Sequence, residues 1–320
     1  MLPALIALVG ALVYGSADFL GGLAARSLRS IVVTAVAAIA GLVLLLVAYP
    51  FVGGQWIPAD IGWGVVSGFT GAAAIVLLYA CLAIGPMSIL SPLTAVVSAI
   101  APIVWGLVVD GETLSWVGCA GLAVALVAVV LVGFIPGEKV VRPSARGLLL
   151  AIGAGLAIGA FLIVIDQTSD ESGLVPLILN RSVSSVITLA AVGVIAVIAV
   201  RAGRGAASIL PPAGARLGAT PTGHADLEHA VEEAASTRVA TPLRRAFLLT
   251  AACGVVDAVA NVVMLFALRT GDLTIVSALT AMYPAGTILL AALVLRERIA
   301  GVQWLGLALA LAAGAMLALA

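Results

Sequence analysis

Charge is what this sequence has least of. Asp, Glu, Lys and Arg make up 9% of its 320 residues, where a water-soluble domain of that length keeps about 25% to cover its surface. Water is therefore excluded as the solvent for most of the chain. Only two histidines are present, His224 and His229, which leaves little material for the histidine-based metal sites and general bases of many hydrolases. The three cysteines, Cys81, Cys119 and Cys253, fall inside apolar runs without metal-ligand spacing and are read as small core residues. Neither sign of charge dominates, with 15 basic and 15 acidic residues, so there is no global field to draw in nucleic acid. A Gly-rich phosphate loop ending in Lys-Ser or Lys-Thr is also missing, so no ATP site and no cofactor is expected.

What is present is length of apolar run. Apolar residues make up 63% of the chain and mean hydropathy is +1.27. Crossing about 30 Å of hydrocarbon at ~1.5 Å per residue takes about twenty residues. Ten runs qualify, near 3–24, 31–52, 61–83, 87–109, 114–135, 146–166, 174–200, 245–268, 273–295 and 299–319. The first lacks a basic leader and carries Asp18, so it is read as a span rather than a cleaved signal. Most gaps are short turns such as Gly85-Pro86 and Asp110-Gly111, which make sequential spans antiparallel neighbours. The exception, 201–244, is polar, holds Pro211, Pro212, Pro221 and Pro242 with both histidines, and is expected as a flexible hydrophilic loop.

The chain also repeats itself. Tyr79 to Gly85, followed by Ile89, Ser91, Leu93 and Thr94, lines up at a constant offset of 186 with Leu265 to Gly271, followed by Ile275, Ser277, Leu279 and Thr280. After one residue of slippage, Glu112 and Gly121 match Glu297 and Gly306, and Gly15 in the first span matches Gly159 in the sixth. The repeat is thus five spans, with halves at 1–138 and 139–320. An odd number of spans per copy forces the second copy to enter the membrane upside down. The charges agree. Gaps on one face hold Arg29, Arg201, Arg244, Arg245, Arg296 and Arg298 among other basic residues; the opposite gaps hold Arg269 together with Asp60, Asp110, Glu112, Asp170 and Glu171. By the positive-inside rule the Arg-rich face, with the 201–244 loop, is cytoplasmic and both termini lie outside.

Tyr14-Gly15-Ser16-Ala17-Asp18-Phe19 in the first span, the Gly85 turn into the fourth, and the matched ends at Glu112 and Glu297 resemble the EamA-like branch of the drug/metabolite transporter superfamily. The resemblance runs over nearly the whole chain and rests on the order of loose motifs. It implies an all-α plasma (inner) membrane protein whose ten helices, in two inverted five-helix repeats, surround a central cavity. It also implies a secondary transporter or exporter of a small metabolite or drug-like solute, and not an enzyme. The long loop and the external termini depart from the family's usual pattern. The expected partners are a small-molecule solute and the lipid bilayer, with a homodimer left open.

Intramembrane polar residues are the candidates for chemistry, because an ionised Asp at the bilayer centre costs about 2.5–3.5 kcal/mol even on a lenient scale. Tyr14 and Asp18 are four apart in the first span, and Asp257 and Asn261 four apart in the eighth, so each pair shares a helix face. They are expected to border a cavity and bind a cationic solute or a proton; the alternative is packing glue between helices. Asn180 and Arg181 lie about two turns into the seventh span. There Arg181 can pair with Asp166 or an intramembrane Asp, grip a substrate carboxylate, or snorkel to the headgroups. Pro92, Pro102 and Pro284 free backbone carbonyls within their helices. Gly64 with Gly68, and Gly155 with Gly159, read as close helix contacts. The transport reading, by alternating access with proton coupling as one option, competes with a receptor or scaffold and, more remotely, a membrane enzyme.

Overall fold

The computed structural model describes residues 2–25, 27–82, 87–133, 144–203, 205–211, 242–295 and 300–319. Its helices are α1 (Leu2–Ala25), α2 (Ser30–Val52), α3 (Pro58–Leu82), α4 (Met87–Val108), α5 (Trp116–Val132), α6 (Ala145–Asp166), α7 (Val175–Arg201), α8 (Leu243–Thr270), α9 (Leu273–Thr280), α10 (Tyr283–Val294) and α11 (Gly301–Ala318). Eight stretches, with α9 and α10 taken as one, are long and apolar enough to cross a membrane. Leu93–Val108 and Trp116–Val132 are shorter apolar helices at the positions of spans four and five. The basic residues Arg26, Lys139, Arg142, Arg204, Arg296 and Arg298, both histidines, and Glu297 fall outside the described residues.

The buried face of the first helix is rich in small residues and its exposed face carries large apolar ones. On α1, Ala4, Ala7, Ala11, Tyr14 and Asp18 are buried while Leu2, Leu5, Val9 and Leu12 are exposed. A bilayer inverts the usual incentive: lipid is as apolar as Leu, so helices associate through close packing of small residues rather than by hiding large ones. Cys253 follows this rule in the core, but Cys119 is exposed on α5 and so departs from the core reading. The partners of the predicted small-residue contacts are now visible. A Cβ on Gly64 would lie 3.0 Å from Pro176 Cα, and one on Gly68 3.1 Å from the Asn180 carbonyl oxygen, so α3 presses against α7. Gly155 and Gly159 press in the same way on α4.

Span nine is in two pieces, which the sequence reading did not anticipate. Pro284 has no N–H to donate to the Thr280 carbonyl four residues back. The chain turns through Ala281 and Met282, where Met282 N donates to Leu279 O at 3.1 Å and Ala285 N to Met282 O at 2.9 Å.

The packing pairs are α1 with α8, α3 with α6, α4 with α6, α1 with α9 and α10, α3 with α7, α2 with α8, α5 with α11, α2 with α7, and α4 with α9. These pairs map onto one another under the five-span repeat expected from the sequence, whereas α4 with α5 and α1 with α11 also touch and have no counterpart of similar extent among the described residues. Some residue contacts recur at a fixed spacing. A Cβ on Gly121 would meet Met316 and Leu317, and one on its match Gly306 would meet Leu131 and Val132, the residues 185 positions earlier. Gly15 abuts Tyr283, Gly286 and Thr287, while its match Gly159 abuts Ser98, Ala101 and Pro102, again 185 positions earlier. Gly121 near the start of α5 meets the end of α11, and the start of α11 meets the end of α5, so these two helices run antiparallel.

Candidate functional site

The two polar pairs read from the sequence meet in one cluster. Helical spacing puts Tyr14 and Asp18 on the buried face of α1, and α8, packed along α1, buries Asp257 and Asn261. From α7 comes Arg181, whose Nη2 donates to Asp257 Oδ2. Asn261 Nδ2 donates to the Asp257 carbonyl at 2.7 Å and to its Oδ2 at 3.3 Å, holding the carboxylate from its own helix. The Tyr14 hydroxyl contacts Met264 Sδ at 3.4 Å, one turn further along α8. Both the Tyr14 hydroxyl and the Cys253 thiol lie within electrostatic reach of Asp18, Asp257 and Arg181, which ties these charges into one neighbourhood.

Burial is nearly complete, with Arg181 1%, Asp257 0% and Asp18 2% exposed. Glycine lets α2 and α8 close over the pair: a Cβ on Gly41 of α2 would lie 2.9 Å from the Gly254 carbonyl oxygen, and Arg181 Nε is in ordinary contact range of the same position at 3.7 Å. Among the described residues, Arg181 Nη1 and Asn261 Oδ1 are buried without a hydrogen-bond partner. A buried polar atom left so costs about 1–3 kcal/mol, which a water or a solute at the ion pair offsets.

Of the predicted residues, Tyr14, Asp18, Arg181, Asp257 and Asn261 are together. Asn180 is not: its Nδ2 donates to Ser67 Oγ on α3 at 3.1 Å. Nor does Asp166 pair with Arg181, since it ends α6 in the field of Asp110 and Glu112. Cys253 and Met264 border the cluster without having been singled out as site residues. Their positions, one turn before Asp257 and one turn after Asn261 on the same face of α8, are the signal that could have found them.

A second polar network lies on the acidic face. Asp60 accepts from Ser169 N at 3.3 Å and Ser169 Oγ at 2.5 Å, joining α3 to the α6–α7 loop. Gln55 N donates to Glu171 O at 2.8 Å and Leu174 N to Gly53 O at 3.2 Å, where Gly54 and Gly173 have positive φ and the loops touch backbone to backbone. Glu112 reaches from the α4–α5 loop to cap α9, accepting from Leu273 N at 2.6 Å and Thr274 N at 3.0 Å. At the same helix end the Asp272 carboxyl sits above its usual range, through burial first and the Glu112 charge second.

Residues 234–319 match the EamA-like transporter family. This family is part of the drug/metabolite transporter superfamily; the match covers 86 of the 320 residues and agrees, over that stretch, with the resemblance read from the sequence. No curated protein matches the chain. Twenty-eight solved chains do. One, a crystal structure described only as that of a protein, superposes with a TM-score of 0.68 over 99% of this chain and 96% of that one, at 14% identity. At such identity the likeness is one of fold. The apolar helices and the EamA-like match together mark an integral membrane protein.

Proposed function

We propose that the chain is a secondary transporter of a small solute, working by alternating access between halves 1–138 and 139–320 that are inverted relative to each other. The observation that carries the reading is an ion pair, Arg181 with Asp257, held at membrane depth beside a second carboxylate, Asp18. The formal charges acting on Tyr14 and Cys253 are two Asp and one Arg, a sum of −1 when all are ionised. A proton or a cationic group on the solute brings that sum to zero. A neutral cluster is cheaper to close off in a low-dielectric centre than a charged one, which couples binding to reorientation of the halves around it. Arg181 bridges α7 to α8, so a cation that competes for Asp257 loosens one half from within.

Inversion is supported by the antiparallel course of α5 and α11. If these helices are equivalent, the operation relating the halves reverses direction across the membrane, and the reciprocal contacts of Gly121 and Gly306 fit that operation. The Arg-rich face is then cytoplasmic and both termini are external. A receptor or scaffold needs no dry ion pair.

Reconstituted protein should take up at least one of a panel of amino acids, purines and organic cations, and uptake should respond to an imposed pH gradient. Asp257→Asn and Asp18→Asn should each reduce uptake more than tenfold, read on the fraction that remains folded because Asp257→Asn leaves Arg181 without its charged partner. Full uptake by both variants removes the assignment.

A further inference from the structure

At the Arg-rich end of α7 lies a half-open cavity of about 190 Å³, lined by Arg29, Ile195, Ile198, Ala199, Ser208 and Ile209. A water takes about 30 Å³ of liquid, so this space holds a group several times larger. Its wall on α7 is apolar and continues into a lipid-facing surface, since Val194, Val197, Ile198 and Val200 are all more than half exposed. Its polar side is different. Arg29 supplies a guanidinium whose Nε is buried and, among the described residues, has no hydrogen-bond partner. Arg29 is also the residue before α2, whose start has no side-chain cap, so the positive end of that helix adds to the guanidinium charge. Arg29 N donates to Leu210 O at 2.8 Å, which holds the short turn Ala206–Ile209 and its Ser208 hydroxyl over the cavity. Arg201, at the end of α7 and three residues beyond Ile198, adds a second cation nearby.

We propose that this cavity is a binding site for an anionic bilayer phospholipid, with the phosphodiester on Arg29 and Ser208 and the first part of an acyl chain along Ile195 and Ile198. The charge selects a phosphate. The apolar wall open to the hydrocarbon selects a lipid over free phosphate. The site lies apart from the Arg181–Asp257 cluster and stands whatever solute the protein carries.

The test uses full-length protein purified in neutral detergent and titrated with phosphatidylglycerol, phosphatidylcholine or inorganic phosphate, with adducts counted by native mass spectrometry. One saturable phosphatidylglycerol adduct is expected, at least fivefold tighter than phosphatidylcholine; one basic residue near an anionic surface is worth about fivefold. Arg29→Gln should weaken it about fivefold or more. Ser208 is exposed, so Ser208→Glu leaves the fold intact and should weaken it too, by placing a negative charge where the phosphate sits. Equal binding of phosphatidylglycerol by the wild type and Ser208→Glu overturns the proposal, as does equal affinity for the two lipids or tight binding of inorganic phosphate alone.

Discussion

Arg181 on α7 and Arg269 on α8 have opposite surroundings. The side chains of Arg181 and Asp257 are 2% and 0% exposed, and the guanidinium has a single carboxylate partner with Nη1 left over among the described residues. Arg269 is 14% exposed, and its Nη2 donates to Ser169 O at 3.2 Å, Ser172 Oγ at 3.2 Å and Gly173 O at 2.9 Å. Its acidic neighbour Asp170 is 75% exposed at 3.6 Å. The rim arginine is a clamp on loop backbone, with water at hand. The buried one is closed off from bulk water with one carboxylate as its charged partner, so a change in that charge acts on the pair directly. The same residue type thus fastens a loop in one place and, in the other, holds the ion pair on which the proposed transport cycle rests.

The largest effect that separates them is expected from Arg181→Ala. Removing one partner of a buried pair leaves the other charge uncompensated, at about 3–5 kcal/mol. The double variant Arg181→Met with Asp257→Leu should recover most of that stability, yet not transport. Thermal unfolding in detergent reads the first effect and vesicle uptake the second; a double variant no more stable than Arg181→Ala would mean that the cost is one of packing. Arg269→Met is expected next, at about 1–3 kcal/mol for the lost charge-assisted hydrogen bonds. Uptake by the protein that remains folded should stay near wild type, because the clamp touches none of the cluster. Abolished uptake in folded Arg269→Met would erase the distinction.

Several features were readable before any coordinates, and the reason differs for each. The span limits follow from hydrocarbon thickness, and those read from apolar runs lie within about three residues of the observed helices. Tyr14 with Asp18 and Asp257 with Asn261 were readable as pairs because helical periodicity states which residues share a face. Periodicity does not state which helix that face meets. For that reason Arg181 had two candidate partners, and Asn180 was grouped with Arg181 although neighbouring residues on a helix point about 100° apart, here toward Ser67 and Asp257. The break in span nine was half legible. Pro284 was flagged, but Pro102 has the same chemistry inside α4, which stays continuous with the Pro102 ring against Gly159. Only packing distinguishes the two prolines.

The acidic face offers the finer tests. Glu112 from the first half caps α9 of the second, so Glu112→Ala should cost about 0.5–2 kcal/mol, the usual worth of an N-terminal cap. Glu112→Gln, which keeps one acceptor, should cost less. Removing the Glu112 charge should also lower the Asp272 pKa. A carboxyl whose folded pKa is raised gives up stability as pH rises through that value, so the wild type should lose a little on going from acid to neutral pH, and Glu112→Gln should lose less of it. A pH series of unfolding midpoints for both proteins checks this.

The smallest change is expected at Asp170. Its contact with Arg269 is long and three-quarters solvated, and exposed pairs contribute about 0–1 kcal/mol, less in salt. Asp170→Asn should therefore unfold within about 0.5 kcal/mol of wild type, with no further change as salt is added. Arg269 keeps its three oxygen acceptors in that variant, so the loop stays fastened. If Asp170→Asn instead destabilised the protein as much as Arg269→Met, the clamp would be electrostatic rather than hydrogen-bonded, and the two arginines would differ only in their exposure to water.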